Sequence, residues 1–241
     1  MHVDFVTYQP GVRAPSRPDS EQIFRVFPEA KRCPPFSATV AAGLWVYPPF
    51  DALVQIDKQG NFRVVTDQAL DALVWLQRME TLVSWPSTWW CSKIPGVLQI
   101  DPGFIMITPP GKRLIVTQPI NLFGRHFQTQ TGAIDSDFFW APFTINLVPN
   151  PGVSEFELRR SQPIAHLLNP EEMLAPLSFK VSSIEERPEP LQFWRSYIEA
   201  VYGAECQPDC NGLTKRQNSV YREWLLRHRR VVEKSIKDGY R

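Results

Sequence analysis

The chain has 241 residues, and 26 Lys and Arg against 25 Asp and Glu give it a net charge of +1 at pH 7. Hydrophobic residues make up 43% of the chain, as is usual for a globular protein with a buried core. No apolar run approaches the roughly 20 residues that span a bilayer, and 4 Cys are too few for a disulfide scaffold. We therefore expect a reduced, cytoplasmic protein of one or two domains with no membrane partner.

Proline and aromatic residues are the distinctive part of the composition. The chain contains 23 Pro and 8 Trp, and 12% of its residues are aromatic. Pro fixes φ and removes a backbone donor, so it interrupts regular structure. Frequent Pro among β-branched and aromatic residues predicts short strands separated by turns, and it does not favour a helical bundle or a coiled coil.

The amino-terminal segment begins with a predicted strand from Val3 to Tyr8, followed by a Pro-bearing arm over residues 10–18. The mostly apolar stretch from Ser37 to Tyr47 is predicted to be a buried strand or a short helix, since its periodicity fits both. Apolar residues at 3–4 spacing predict a short helix over residues 67–83.

The clearest local signal is a hairpin. Ala52–Ile56 and Phe62–Val65 are strand-like and flank a short turn that contains Gly60 and Asn61. Gly and Asn tolerate the positive φ angles of tight turns, so this segment is predicted to be two antiparallel strands.

Residues 94–180 return to the β pattern, with Pro-Gly turns about every ten residues. Regular short strands of this kind predict a jelly-roll-like β-sandwich rather than an α/β sheet. The predicted strands are Val97–Ile100, Phe104–Thr108, Leu114–Gln118, Phe138–Leu147, Val153–Leu158 and Ile164–Leu168.

The carboxyl-terminal part breaks with this pattern. Residues 185–190 are charged and Pro-bearing, and two helices are predicted after them, over Leu191–Tyr202 and over 214–236. We therefore predict a mainly β domain over residues 1–184 and a helical extension over residues 185–241.

The predicted second helix is basic. Lys and Arg outnumber acids by nine to three between Gly212 and Arg241, so this segment carries +6 and the rest of the chain −5. Lys and Arg can contact phosphates, but charge on a terminal helix is usually solvated, and we do not expect nucleic acid binding. A second hypothesis for these helices is that they mediate the assembly of a homo-oligomer.

The most polar part of the β region runs from Asn121 to Asp137. A long polar connection on a rigid sheet is where binding groups are often found. We predict a ligand site there, formed by Asn121, Arg125, His126, Asp135 and Asp137.

A metal-assisted enzyme is the alternative use of this region. Its ligands would be His126, His166 and one of the two Asp residues, as in a cupin-like site. Cys206 and Cys210 form a spaced pair of thiols, but no second pair completes a zinc site. Hydrolase, phosphate-loop and dinucleotide-binding motifs are absent from the sequence, so we expect no cofactor.

Several short pieces follow one another in a characteristic order over about residues 30–180. They are Arg32-Cys33-Pro34-Pro35, Gly43-Leu44-Trp45, Pro109-Pro110-Gly111, Pro119-Ile120-Asn121, Gly132 to Asp137, Pro142 to Asn146 and Gln162-Pro163-Ile164. In this order they resemble an uncharacterised β-rich family of bacterial and phage proteins. The resemblance implies a β-rich fold without implying an activity.

Three hypotheses for function follow from the sequence. The first is a β-sandwich that binds a small molecule or a peptide through the polar segment. The second is a cupin-like enzyme that uses the same segment. The third is a phage-encoded structural or interaction protein that assembles through its basic carboxyl-terminal helix.

Overall fold

The computed structural model describes residues 1–9, 11–66, 95–122, 124–173 and 175–202, together with residues 223, 226, 227, 229 and 230. Within these residues the protein is mainly β, with four small sheets and three α-helices. None of the described helices is long and apolar enough to cross a bilayer.

The strands are short and are named here in chain order. They are β1 His2–Thr7, β2 Leu44–Val46, β3 Ala52–Ile56, β4 Phe62–Val65, β5 Leu98–Ile100, β6 Phe104–Ile107, β7 Leu114–Thr117, β8 Phe127–Thr129, β9 Gly132–Ile134, β10 Ile145–Pro149, β11 Glu155–Leu158, β12 Ala165–Leu168 and β13 Ser178–Ser183.

The helices are α1 Ser20–Val26, α2 Pro34–Ala41 and α3 Glu189–Tyr202, and a 3₁₀ helix occupies Pro28–Arg32. Asp19 caps α1 by accepting hydrogen bonds from two backbone N–H groups of its first turn. The first position of α2 is a Pro, which lacks the N–H that would go unpaired there.

The strands form four sheets, named here A to D. Sheet A has the order β13-β1-β6, sheet B β2-β12-β7-β9, sheet C β11-β3-β4 and sheet D β5-β10-β8. Every strand pair in them is antiparallel except β1 with β13, which is parallel.

One apolar core joins the four sheets. Its buried side chains include Phe5 of sheet A, Leu167 of sheet B, Val54 of sheet C and Leu98 of sheet D. Because burial of apolar area is the main force that favours folding, the shared core binds sheets that have no strand pairing with each other.

Sheet A has a second apolar face, which α3 covers. In β6, Phe104 and Met106 lie in the shared core, whereas Ile105 and Ile107 lie in a second cluster. Trp194 of α3 belongs to that second cluster, and its ring packs on Tyr8 with 5.2 Å between centroids. This explains why β6 is apolar at every position instead of at alternate ones.

The hairpin prediction is confirmed, since β3 and β4 pair in antiparallel register. The Asp57 carboxylate accepts the backbone N–H groups of Gln59 and Asn61, at 2.9 and 2.8 Å. Gly60 has a φ of 82°, so the turn uses the positive φ for which its sequence was singled out. Strands are also found within or overlapping the other predicted strand segments.

Two predictions need correction. The strand predicted over Phe138–Leu147 is wrong in its first half, because β10 begins only at Ile145. The N–H groups of Phe138 and Phe139 turn back to the carbonyl of Asp135, which excludes an extended chain there. The polar segment 121–137 is not one long connection, since it contains β8 and β9.

The stretch from Ser37 to Tyr47, for which strand and helix were both open, contains parts of both, because α2 ends at Ala41 and β2 begins at Leu44. Gly43 makes the turn between them, with a φ of 65°. The helix predicted over residues 67–83 lies outside the described residues, as does nearly all of the one predicted over 214–236.

Candidate binding cleft

A cleft of about 540 Å³ lies between sheets C and D. Its walls come from the residues around β8 on one side and from β11 and Leu53 of β3 on the other. Gln22 of α1 and Leu122 add to the rim. The rings of Phe127 and Phe156, 5.1 Å apart between centroids, join the two walls.

Arg125 is the most distinctive group in the cleft. Its side chain is half-buried, and its guanidinium lies 5.4 Å from the centroid of the Phe127 ring. Burial lowers the pKa of Arg125 to about 10, so the group still carries its charge at neutral pH. Among the described residues no carboxylate forms an ion pair with it.

Asn150 holds the backbone that carries Arg125. Its side-chain Nδ2 donates to the Arg125 carbonyl at 2.6 Å, and its backbone N–H donates to the His126 carbonyl at 2.8 Å. Asn150 lies in the turn that follows β10, which pairs with β8. The position of Arg125 is therefore set by hydrogen bonds on two consecutive carbonyls.

The other charged groups of the cleft come from β11 and the residue that follows it. Glu155 and Glu157 are exposed, whereas Phe156 between them is buried, as expected of a strand with one face in the core. Arg159 pairs with Glu157, and its Nε donates to Oε2 at 2.8 Å. Glu155 lines the cleft and has no ion pair among the described residues.

His126 also lines the cleft and is exposed. Asn121 does not line it. Its φ of 62° makes it the one described non-glycine residue with a positive φ, and its Nδ2 donates to Oγ1 of Thr39 at 3.4 Å. The structure thus gives Asn121 a part in a chain reversal beside α2.

Asp135 and Asp137 are also absent from the cleft lining, and they clamp a turn. Asp135 Oδ1 accepts from Arg113 Nε at 2.7 Å, and Asp137 Oδ2 accepts the Gly111 N–H at 3.0 Å. Burial raises the pKa of Asp137, whose Oδ1 has no hydrogen-bond partner among the described residues. The five predicted site residues therefore divide, with Arg125 and His126 in the cleft and the other three outside its lining.

The metal alternative depends on His166, which is buried within sheet B. Its Nε2 lies 2.7 Å from the Ala42 carbonyl, and its Nδ1 lies 3.4 Å from the backbone N–H of Ile120, which donates to it. Burial lowers the pKa of His166, which favours the neutral ring. With both nitrogens bound to backbone, the ring has no free lone pair for a metal.

The described residues contain no group of three or more His, Cys, Asp or Glu that could hold a metal ion. Cys91, Cys206 and Cys210 lie outside those residues. Cys33, which is described, is exposed and forms no disulfide.

Glu155, Asn150 and Gln22 are among the contributors to the cleft that were not predicted from the sequence. The alternation of acid and aromatic over residues 155–157 is a signal for an exposed face, but it does not say what that face lines. Asn150 directly precedes Pro151-Gly152, one of the Pro-Gly turns predicted between strands, and its partner 25 residues away could be found only from the fold.

Comparison with protein-family models gives no match to this chain, and comparison with curated proteins gives none either. The cleft itself is therefore the feature from which a function can be inferred.

Proposed function

We propose that this protein binds a small molecule through an anionic group in the cleft between sheets C and D. Arg125 is the residue that would hold the anion. The observation that carries the proposal is a half-buried guanidinium that lines a cleft without a carboxylate partner among the described residues. Removing a cation from water is unfavourable unless a counter-charge or hydrogen bonds compensate.

The size and composition of the cleft support the same function. Small-molecule sites usually have volumes of about 300–1,000 Å³ and combine apolar walls with a few polar groups. This cleft has apolar walls from Leu53, Leu122 and Phe127, and its polar groups include the Arg125 guanidinium. A guanidinium presents a planar set of donors that matches a carboxylate or phosphate in a bidentate arrangement.

The proposal is tested by isothermal titration calorimetry with inorganic phosphate, citrate and an aliphatic carboxylate as probes, alongside zwitterions that carry a carboxylate. Arg125→Gln removes the charge, and Arg63→Gln on the exposed side of β4 is the matched control. Hydrogen bonds to a charged group contribute about 1.5–3 kcal/mol, so the Arg125 variant should bind about 10- to 150-fold more weakly. Equal affinity in both variants, or no binding of any probe, would overturn the proposal.

We propose three finer features alongside this function. The four sheets form a jelly-roll-like sandwich, which their antiparallel pairing around one core supports. The chain is cytoplasmic and is related to the β-rich bacterial and phage family that its short sequence pieces resemble. Assembly through residues 212–241 stays a prediction, because that segment lies almost wholly outside the described residues.

A further inference from the structure

We infer that the ligand of this cleft is a small zwitterion, an apolar amino acid or dipeptide, whose carboxylate binds Arg125 and whose ammonium group binds Glu155. This inference rests on the proposed function and specifies its ligand. A zwitterion needs a second charged group in the site, the Glu155 carboxylate, whereas an anion needs only the Arg125 guanidinium.

The charges of the cleft support two poles of opposite sign. Glu157 and Arg159 neutralise each other in an ion pair, so they leave no net charge for a ligand. Arg125 and Glu155 line the same cleft and have no ion pair among the described residues, with each other or with another side chain. A bound molecule with complementary charge at both ends would satisfy both groups.

The fold keeps these two groups apart. Asn150 fixes the backbone at Arg125 through the Arg125 carbonyl. Glu155 is fixed by the pairing of β11 with β3, in which it lies opposite Gln55. Arg125 precedes β8 of sheet D and Glu155 lies in β11 of sheet C, so the two groups reach the same cleft from separate elements.

The apolar part of the cleft lining indicates an apolar ligand body. Leu53 and Leu122 line the cleft together with Phe127 and Phe156. The amide side chains of Gln22 and Gln162 lie at the same cleft and can hydrogen-bond a peptide or carboxylate group.

The test compares ligands that all carry the branched side chain of leucine. L-leucine carries both charges, 4-methylpentanoate lacks the amine, and 3-methylbutylamine lacks the carboxylate, while leucyl-leucine is a longer zwitterion. Each is titrated calorimetrically into the full chain. We expect one of the two zwitterions to bind at least about tenfold more tightly than either single-charge analogue, since each lost charge-assisted hydrogen bond costs at least that factor.

Two variants assign the poles. Glu155→Gln should weaken binding of the zwitterion about tenfold and leave the affinity for 4-methylpentanoate unchanged. Arg125→Gln should weaken binding of both ligands and leave the affinity for 3-methylbutylamine unchanged. Glu172→Gln, at an exposed residue outside the cleft lining, is the matched control. Circular dichroism and the melting temperature establish that each variant is folded.

The outcomes separate this inference from the proposed function. If 4-methylpentanoate binds as tightly as the zwitterions and Glu155→Gln does not change the affinity for them, the inference of a zwitterionic ligand is wrong and the anion site stands. If none of these carboxylate-bearing ligands binds at millimolar concentration, the zwitterion inference is wrong, and the anion site stands only if inorganic phosphate or citrate binds. If Arg125→Gln changes nothing, both are wrong.

Discussion

Replacement of Asp101 by Asn should make the protein more stable at neutral pH and flatten its dependence on pH. Asp101 lies in the turn between β5 and β6, is buried, and accepts hydrogen bonds from the Tyr8 hydroxyl and from the Gly103 N–H. Burial raises the pKa of Asp101 from 3.8 to about 6, even though both hydrogen bonds favour its charged form. The folded protein therefore keeps this proton to a higher pH than the unfolded chain does.

The direction and size of the change in stability with pH follow from the pKa of Asp101. Because the folded-state pKa lies above the unfolded value, Asp101 does not disfavour folding below about pH 4, and its cost grows as the pH rises from about 4 to about 6. A shift from 3.8 to about 6, at 1.36 kcal/mol per pKa unit, gives a cost of about 3 kcal/mol above that window. Asn has no proton to lose, and its oxygen can still accept from Tyr8 and Gly103.

Urea unfolding of both proteins, followed by Trp fluorescence near pH 4 and near pH 7, measures this cost. Other carboxyl groups titrate equally in both proteins, so the difference in unfolding free energy should change by about 2–3 kcal/mol in favour of Asp101→Asn at the higher pH. Tyr8→Phe removes the hydroxyl donor and should destabilise the protein near pH 7 by about 1.5–3 kcal/mol. A difference between wild type and Asp101→Asn that does not vary between these pH values would refute the reasoning.

Four other substitutions test the fold and the cleft. Gly43→Ala should lower the unfolding free energy by about 3 kcal/mol or more, because Gly43 has a φ of 65° and the added Cβ would lie 2.2 Å from a backbone carbonyl of β12. Gly124 also has a positive φ, of 75°, but an added Cβ there would meet open space. Gly124→Ala should therefore cost only about 1–2 kcal/mol in the same urea assay. Arg113→Ala should lower the unfolding free energy by less than about 1 kcal/mol, since its partner Asp135 is partly exposed. A larger loss would mean that the Arg113–Asp135 ion pair contributes substantially to the stability of the fold. Asn150→Ala should weaken a carboxylate probe roughly threefold to tenfold in calorimetry while an amine probe is unaffected, and equal loss for both would indicate a general collapse of the cleft.

Local chemistry explains which strands the sequence could predict. The β3–β4 hairpin was predicted because Gly60 and Asn61 tolerate the positive φ of tight turns, and in the structure Gly60 has a φ of 82° and the Asp57 carboxylate accepts nearby N–H groups. These signals lie within a few residues of each other and do not depend on the rest of the fold. Short strands such as β8 and β9, of three residues each, carry no such signal and depend on partners far along the chain.

The candidate site was predictable only in part, for the same reason. Polar residues between positions 121 and 137 drew attention to Arg125 and His126, and both line the cleft. Asp135 and Asp137 were grouped with them because they are near in sequence, but β8 and β9 belong to different sheets and carry the two halves of the segment apart. Glu155 joins Arg125 at the cleft from a strand that the sequence could not place beside it.

The parallel pairing of β1 with β13 has a consequence for synthesis on the ribosome. His2 and Ser178 are 176 residues apart, yet their strands lie side by side in sheet A. At roughly 5–20 residues per second, β1 would wait about 9–35 s for its neighbour to be translated. During that interval its apolar side chains and unpaired edge are exposed to other nascent chains, so we expect this strand to be where molecular chaperones engage the emerging polypeptide.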